Sequence, residues 1–504
     1  MSADAHISSP SLKDGHTKTI RQWLALADGR TGADDAGELR QQLLLLGEYP
    51  TPPGERIKLL DQLFSHAERV VSGELPALQE IRLPVPRRLR QRTGVIQEIL
   101  ETLIQEYSTW LSEPFDPLTA TPHRGSNRYL RQVIQCIGWH IRISHLIAAP
   151  SSAGIWQQLH SAYRTGRRLG LADLPGPGHE PSLQQSYIRI LLAAIAQPAS
   201  FCSGELEFIT SYIESNVRPI DILESPPQDR DGVFWFDLDQ DFPAYALARR
   251  PPNSNALALY FACDLIARDT RELIAALTKG SPASSLGLPA FADTPAGRGV
   301  LRRLAQRWGQ PPKRRYQRRR QHYRVKLCAG LEQLWKQIRH PETKGQISEW
   351  MVTNESPDGF SLMHISGSIS HLRVGDMVAI QPTGERTEQV PRWHIGIVRW
   401  AISENPEHIE LGMQQLASQA IAAEVIRPLD QKTENLFALL LPETPPLRDL
   451  PALVAATGLL NESEQRLILL VGQDNFSVCE VRPTTLTEQT SSIEVFSVVS
   501  NEKS

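Results

Sequence analysis

The segment that decides the fold of the second half of this chain is ISEWMVTNESPDGFSLMHIS, residues 347–366. Two short segments rich in apolar, β-branched and aromatic residues flank a polar turn, NESPDG, residues 354–359. Asn, Ser, Pro, Asp and Gly are the residues that form tight turns. The pattern therefore predicts two strands joined by a turn.

The segments that follow have the same character, and they include DMVAIQP, WHIGIVRWAI and HIELGMQQL. Five or six such strands predict an antiparallel barrel or sandwich. A brief helical stretch is expected next, in ASQAIAAEVI, residues 417–426. Strands and turns alternate again in the tail, so residues 428–504 are interpreted as a small β-rich C-terminal extension, either a second small β-domain or a continuation of the first.

The first half of the chain has a different pattern, with apolar residues three and four apart in segments such as VIQEILETLIQEYSTWL and YLRQVIQCIGWHIRISHLI. This spacing is typical of amphipathic helices and predicts that residues 1–280 form a mainly α-helical region. A loop-like segment at residues 113–127 divides it into two halves. The expected fold class is therefore multidomain α+β, a helical region followed by a β-barrel.

Residues 281–316 are interpreted as a linker that becomes basic toward its end. GSPASSLGLPAFADTPAG, residues 280–297, is rich in Gly, Ser, Pro and Ala, as interdomain linkers are. Residues 298–326 then contain twelve Lys or Arg and no Asp or Glu. The positive charge is thus local, because the whole chain of 504 residues has a net charge of −3.

Composition indicates a globular protein of the cytoplasm. The five cysteines are scattered and never spaced as CxxC, which argues against disulfides and zinc sites. No apolar signal core or transmembrane segment is found in the sequence.

Catalytic signatures are absent from the sequence. It lacks a phosphate-binding loop, a dinucleotide-binding glycine motif and the motifs of zinc proteases and serine hydrolases. DLDQD, residues 237–241, lacks the Gly and the closing Glu of a calcium loop, so a solvated acidic turn is expected. The chain is predicted to be no enzyme, with no metal site and no cofactor.

The strongest local signal is the cluster RRYQRRRQHYR, residues 314–324, with six arginines and two tyrosines. One interpretation is an exposed basic linker, as most charge runs are. Another is RNA or DNA binding, with Arg for phosphates and Tyr for base stacking. A third is one half of a small-molecule site that NESPDG completes.

Taken together, the two segments resemble the PilZ domain, the cyclic di-GMP receptor module of bacteria. That family carries an RxxxR motif in a loop entering the barrel and a D/N-x-S-x-x-G motif on a neighbouring strand and turn. Here Arg320 and Arg324 match the first motif, and Asn354, Ser356 and Gly359 match the second. The resemblance covers residues 317–427 and implies a six-stranded antiparallel barrel.

The resemblance also implies that these five residues bind cyclic di-GMP. Two arginines on a flexible loop would hold guanine edges or phosphate oxygens, because a guanidinium offers paired donors in one plane. The side chains of Asn354 and Ser356 would add hydrogen bonds, and Gly359 would allow a close approach. Secondary candidates are Arg318, Arg319 and Tyr323.

The function implied is that of a cyclic di-GMP effector in motility, surface attachment or biofilm regulation, in the manner of type IV pilus control. The helical region would bind a protein partner and carry the output. Two alternatives stay open, an RNA- or DNA-binding protein and a scaffold whose barrel does not bind ligand; nucleic acid is the less favoured partner.

Overall fold

The computed structural model describes residues 15–26, 33–112, 125–253, 256–311, 316–342, 345–369, 372–383, 392–405, 407–429, 432–445, 447–460, 467–471 and 477–500. A helical region comes first, and two closed antiparallel barrels follow it.

The helical region contains ten α-helices among the described residues. They are α1 (Gly15–Leu26), α2 (Ala33–Glu48), α3 (Pro53–Leu78), α4 (Arg87–Ser112), α5 (Ser126–Leu146), α6 (Ile155–Arg168), α7 (Leu183–Ile195), α8 (Ser203–Asn216), α9 (Asp264–Thr278) and α10 (Pro295–Gly309). The apolar stripes read from the sequence face one shared core. Helix α5 lies near its centre, because it packs against α3, α4, α6, α7 and α8.

A small antiparallel sheet lies between α8 and α9, which the sequence did not predict. Its strands are β1 (Val233–Asp237), β2 (Tyr245–Ala246) and β3 (Ala258–Ala262), with β1 in the middle. Phe236 and Phe261 are fully buried in the helical core. The sheet therefore completes the helical region instead of forming a separate domain.

The segment predicted as a linker is folded in its described part. Two short 3-10 helices, Ala283–Leu286 and Ala290–Asp293, precede α10. The Asp293 carboxylate accepts a hydrogen bond from the Ala283 amide at 2.7 Å. A Cβ on Gly297 would lie 2.0 Å from the Phe291 carbonyl oxygen. The small residues that suggested a linker are there because the backbones pack closely.

The first barrel has six strands in the order β4-β5-β6-β9-β8-β7, and β7 closes it by pairing with β4. The strands are β4 (Arg319–Ala329), β5 (Ile347–Ser356), β6 (Gly359–Ser366), β7 (Met377–Pro382), β8 (His394–Ser403) and β9 (Ile409–Ala417). Alternate residues fill the interior, among them the fully buried Trp350, Val352 and Leu411. This is the antiparallel six-stranded barrel expected from the sequence, with strands over 319–417 instead of 317–427.

The β-rich C-terminal part predicted from the sequence is a second closed barrel, which is the first of the two alternatives. Its strands are β10 (Ile421–Leu429), β11 (Lys432–Leu441), β12 (Ala452–Ala456), β13 (Leu467–Val471), β14 (Ser477–Gln489) and β15 (Ile493–Ser500). They form a closed barrel in the order β10-β11-β12-β15-β14-β13, the strand order of the first barrel. The helix expected at residues 417–426 is wrong, because strand β10 occupies most of that segment.

Both barrels bury residues on their outer as well as their inner faces where they meet. On β7, Val378 and Ile380 belong to the core that fills the first barrel, whereas Met377 and Ala379 pack toward the second barrel. The short helix α11 (Leu331–Arg339), which follows β4, lies between the barrels. Its Trp335 indole N–H donates to the Ala423 carbonyl oxygen at 2.9 Å.

The helical region is joined to the first barrel by backbone hydrogen bonds. The Leu83 amide donates to the Leu372 carbonyl oxygen at 2.8 Å, and the Ser403 amide donates to the Ala148 carbonyl oxygen at 2.8 Å. Arg90 of α4 donates to the Ser403 carbonyl oxygen at 3.0 Å. These bonds fix the barrel beside the loops that precede α4 and α6.

The turn between β14 and β15 connects all three units. The Thr490 hydroxyl donates to the Gly375 carbonyl oxygen of the first barrel at 2.8 Å, and the Ser492 hydroxyl lies 2.5 Å from Asp376. Arg302 of α10 donates to the Gln489 side chain at 2.7 Å. Within the described residues, no helix combines the length and apolar character needed to cross a bilayer.

We expect Trp335→Ala to destabilise the contact between the barrels. The side chain is 7% exposed and packs against Phe437 with ring centres 4.6 Å apart. Removing a buried Trp typically costs about 3–5 kcal/mol. Urea denaturation followed by circular dichroism should show the barrels unfolding at lower urea concentration. Val478→Ala, at a side chain that is 68% exposed, is the matched control and should have no such effect.

Candidate functional site

The two motifs found in the sequence lie side by side at one end of the first barrel. Strand β4 pairs with β5 so that Arg320 lies opposite Asn354 and Arg319 lies opposite Glu355. The turn at residues 356–359 follows directly on β5 and leads into β6. Residues about thirty positions apart in the sequence thus become neighbours through strand register.

The RxxxR motif lies on a strand and not on a flexible loop, which corrects the prediction. Both Arg320 and Arg324 belong to β4, because backbone pairing with β5 begins at Arg319. An irregularity in that pairing falls between Arg320 and Tyr323. Bulges of this kind interrupt the alternation of side chains and redirect them. The two arginines therefore do not follow the simple two-residue alternation of a flat strand.

Both motif arginines are exposed, and an acidic side chain lies near one of them. A guanidinium nitrogen of Arg324 lies 3.8 Å from a Glu349 carboxylate oxygen, and the Arg324 side chain is 59% exposed. A contact of this length at an exposed site contributes little to stability. Arg324 can therefore exchange this partner for an anionic ligand at low cost.

Ser356 and Asp358 shape the turn of the second motif. The Ser356 hydroxyl lies 2.7 Å from Asp358 Oδ1 and 3.2 Å from the Gly359 carbonyl oxygen, and it is buried. A hydroxyl has a single proton to donate. In this geometry Ser356 holds the turn, so its predicted ligand contact requires the hydroxyl to accept a hydrogen bond or to change partner.

Gly359 is required by the close approach of β6 to β9. A Cβ at this position would lie 2.2 Å from the Met413 carbonyl oxygen. The position pairs with Gln414, and the Gln415 amide donates to the Asp358 carbonyl oxygen at 2.9 Å. The glycine thus allows the turn to dock on β9, which is a packing role within the barrel.

Tyr323 is oriented by an acidic residue of β5. Its hydroxyl donates to Glu355 Oε2 at 3.1 Å. Burial, followed by the charge and hydrogen bond of Glu355, raises the pKa of Tyr323 well above its ordinary value. The ring is therefore neutral and fixed at the strand. Arg318 and Arg319 are exposed beside it, and Arg314 and Arg315 lie outside the described residues.

A second group of arginines, which the sequence did not separate from the linker, lines a cleft beside the barrels. The cleft has a volume of about 840 Å³ and lies between α10, β8 and β14. Trp400 of β8 lines it, half-buried on the outside of the barrel, where it packs on Gly412. Trp400 therefore lies on the outer surface of the first barrel and not in its core. The helical spacing of apolar residues over 295–309 could have indicated the helix that carries three of these arginines, but not the cleft itself.

The acidic turn DLDQD is not simply solvated. The Asp241 carboxylate accepts hydrogen bonds from the amides of Gly154, Trp156 and Gln157 at 2.6–3.2 Å. It therefore caps the N-terminus of α6, where a negative charge is stabilising. Among the described residues, no group of three His, Cys, Asp or Glu side chains is placed to hold a metal ion.

Comparison with known proteins gives two matching families along the chain. Residues 18–227 match the family described as "Cyclic-di-GMP receptor FimW, N-terminal domain". Residues 334–421 match "Cyclic-di-GMP receptor FimW, middle PilZ domain". The second match includes Asn354, Ser356 and Gly359, but it begins after the RxxxR motif.

A curated relative aligns over most of both chains. It is the cyclic-di-GMP receptor FimW of Pseudomonas aeruginosa strain PAO1, 22% identical over 526 residues. The alignment covers 86% of this chain and 82% of the relative. The similarity thus extends well beyond the first barrel.

We expect Gly359→Ala to weaken the barrel by about 1–3 kcal/mol, the usual cost of forcing extra atoms into a packed site. The added methyl group would press on the backbone of β9, which cannot move without breaking strand pairing. Thermal unfolding of the purified protein measures the change.

The matched control is Gly94→Ala in α4, where a Cβ meets nothing within 4 Å. Alanine is the better helix former there, so this variant should gain stability by about 0.5–1 kcal/mol. If both variants lost stability equally, the close approach at Gly359 would not be the cause.

Proposed function

We propose that this protein, whose first barrel is a PilZ domain, is a receptor for cyclic di-GMP. The observation that carries the proposal is the register that places Arg320 opposite Asn354, next to the turn at residues 356–359. The likeness to the cyclic-di-GMP receptor FimW over both the helical region and the barrel supports it. The proposed activity is binding, without catalysis.

Cyclic di-GMP matches the chemistry of these side chains. The ligand has two phosphodiester charges and two guanines with the acceptors O6 and N7. A guanidinium can bind O6 and N7 with two parallel hydrogen bonds or clamp phosphate oxygens. Arg320 and Arg324 are both exposed and lie four residues apart on β4, and in this proposal one ligand contacts both.

The remaining motif residues have supporting roles in the proposal. Asn354, half-buried opposite Arg320, would hydrogen-bond the base or the nearby phosphate. Ser356 and Gly359 would hold the turn in position, and Ser356 would also accept a hydrogen bond from the ligand. Arg318 and Arg319 would add positive charge, and Tyr323 would provide a flat ring surface.

Binding would be communicated to the helical region through the segment that joins α10 to β4. This segment connects a helix packed in the helical core to the strand that carries RxxxR. A ligand bound at the start of β4 would shift the equilibrium between arrangements of α10 and the barrel. The helical region would then present a changed surface to a protein partner, with an output in motility, surface attachment or biofilm formation.

Isothermal titration calorimetry of the full chain with cyclic di-GMP tests the proposal. We expect Arg320→Ala and Arg324→Ala each to weaken binding roughly ten- to a hundredfold, because each removes a charged hydrogen-bonding partner worth about 1.5–3 kcal/mol. Ser356→Ala should also weaken binding. Arg164→Ala, at an exposed arginine of α6 that pairs with Asp239, is the charge-matched control and should bind as the wild type does.

A different result would favour nucleic-acid binding by the basic segment. In that case cyclic di-GMP would not bind, and single-stranded RNA or DNA would bind with an affinity that falls steeply with salt. Replacing any one of the exposed arginines would then weaken nucleic-acid binding by a similar amount. If neither cyclic di-GMP nor nucleic acid bound, the barrel would be interpreted as a scaffold.

A further inference from the structure

The cleft between α10 and the two barrels contains an unusual concentration of arginines. Arg302, Arg303 and Arg307 come from α10, and Arg399 comes from β8. Among the described residues that line the cleft, Glu488 of β14 is the acidic one. The volume of about 840 Å³ lies within the range of small-molecule sites.

Arg303 and Arg307 are held close together by one aromatic ring. Their guanidinium carbons lie 4.3 and 4.8 Å from the ring centre of Phe201, which is buried. Arg303 also donates to Glu205 Oε1 at 2.7 Å, and Glu205 is buried beneath the cleft. Cation–π contacts and one ion pair thus fix two like charges side by side.

The charge of Arg307 is not neutralised by its own hydrogen bonds. Its guanidinium donates to the carbonyl oxygens of Ala196 and Gln197, the latter at 3.1 Å. Burial, followed by the charges of Arg303 and Arg399, lowers the pKa of Arg307 to about 9. The positive charge of Arg307 is therefore destabilised by the guanidinium groups of Arg303 and Arg399.

The outer wall of the cleft is polar and connected to both barrels. Arg399 forms an ion pair with Glu488, and its Nε–H donates to Gln414 Oε1 at 2.6 Å. Arg302 donates to the side chain of Gln489 at 2.7 Å. Four guanidinium groups thus line the cleft, and two of them, those of Arg303 and Arg399, form ion pairs with Glu205 and Glu488.

We propose that this cleft is an anion site separate from the RxxxR motif, and that it takes the phosphate groups of a nucleotide. Guanidinium groups bind phosphate oxygens through paired N–H donors, and four of them line this cleft. The cleft is larger than a lone phosphate requires, and it has room for the nucleoside as well.

An occupant of this cleft would act on the whole molecule, since its walls belong to three units. It would stabilise the arrangement in which α10, β8 and β14 meet, by an amount that grows with ligand concentration. The cleft also touches the motif turn through β9, because Gln414 pairs with Gly359. The inference does not rest on cyclic di-GMP being the ligand of the motif.

Calorimetry of the full chain with inorganic pyrophosphate, GTP and cyclic di-GMP tests the cleft. We expect pyrophosphate to bind the wild type and to bind Arg302→Gln roughly ten- to a hundredfold more weakly. Glu488→Gln should bind it about two- to fivefold more tightly, because the variant removes a negative charge that competes with the ligand for Arg399. A variant that merely misfolded would not gain affinity.

The matched control is Arg298→Gln, which removes the same charge from the same helix outside the lining of the cleft. It should bind pyrophosphate as the wild type does, and so should Arg320→Ala. Failure of pyrophosphate to bind, or equal binding by wild type and Arg302→Gln, would overturn the inference. The relative affinities of GTP and cyclic di-GMP for Arg320→Ala identify which class of nucleotide occupies the cleft.

The two proposals fail separately in this experiment. If no variant binds cyclic di-GMP while the pyrophosphate pattern holds, the receptor proposal is wrong and the cleft stands. If cyclic di-GMP binding is lost in Arg320→Ala and is unaffected by Arg302→Gln, while pyrophosphate does not bind, the receptor stands and the cleft is overturned.

Discussion

Strand β4 is the element on which the rest of the barrel architecture depends, because it hydrogen-bonds to β5 on one side and to β7 on the other. The first pairing sets the register that brings Arg320 opposite Asn354, and the second closes the barrel. A one-residue shift of β4 would move its buried side chains, such as Val325, to the solvent face. The buried core therefore fixes the position of the exposed arginines. The proposed binding residues need no rigid loop of their own, since the barrel holds them.

The two barrels have the same strand order but contribute different features to the structure. The first carries both motifs on β4, β5 and the turn that follows. In the second barrel the strand that corresponds to β4 is β10, which begins at Ile421. The outer face of the second barrel contributes apolar residues such as Ala422 and Val495, against which the first barrel and α11 pack. Its β14–β15 turn reaches Gly375 of the first barrel and Arg302 of α10. The second barrel is thus a support that holds the helical region and the first barrel together.

The sequence predicted the helical region, the first barrel and the neighbouring motifs, because each rests on local patterns of two or 3.6 residues and on turn chemistry. It did not predict the second barrel as a complete unit, because β10 lies between two packed surfaces. Alanines such as Ala422 and Ala423 allow that close packing, and in a sequence they resemble a helix. The small residues at 280–297 led to the wrong prediction of a linker in the same way, because they too allow close packing. The arginine cleft was missed because its charges come from α10 and β8, and only tertiary structure brings these elements together.

The contact between Arg302 and Gln489 joins positions that are 187 residues apart in the chain. Contacts of such long range form late, since the entropy of closing a large loop must be overcome before they bring any gain. During synthesis, the arginine-bearing helix leaves the ribosome well before the strand that completes its cleft. Until that strand arrives, Arg303 and Arg307 can already pack on Phe201, but the cleft lacks the wall that β14 supplies and Arg302 lacks its contact with Gln489. The order of the segments along the chain thus makes completion of the cleft depend on the folding of the second barrel.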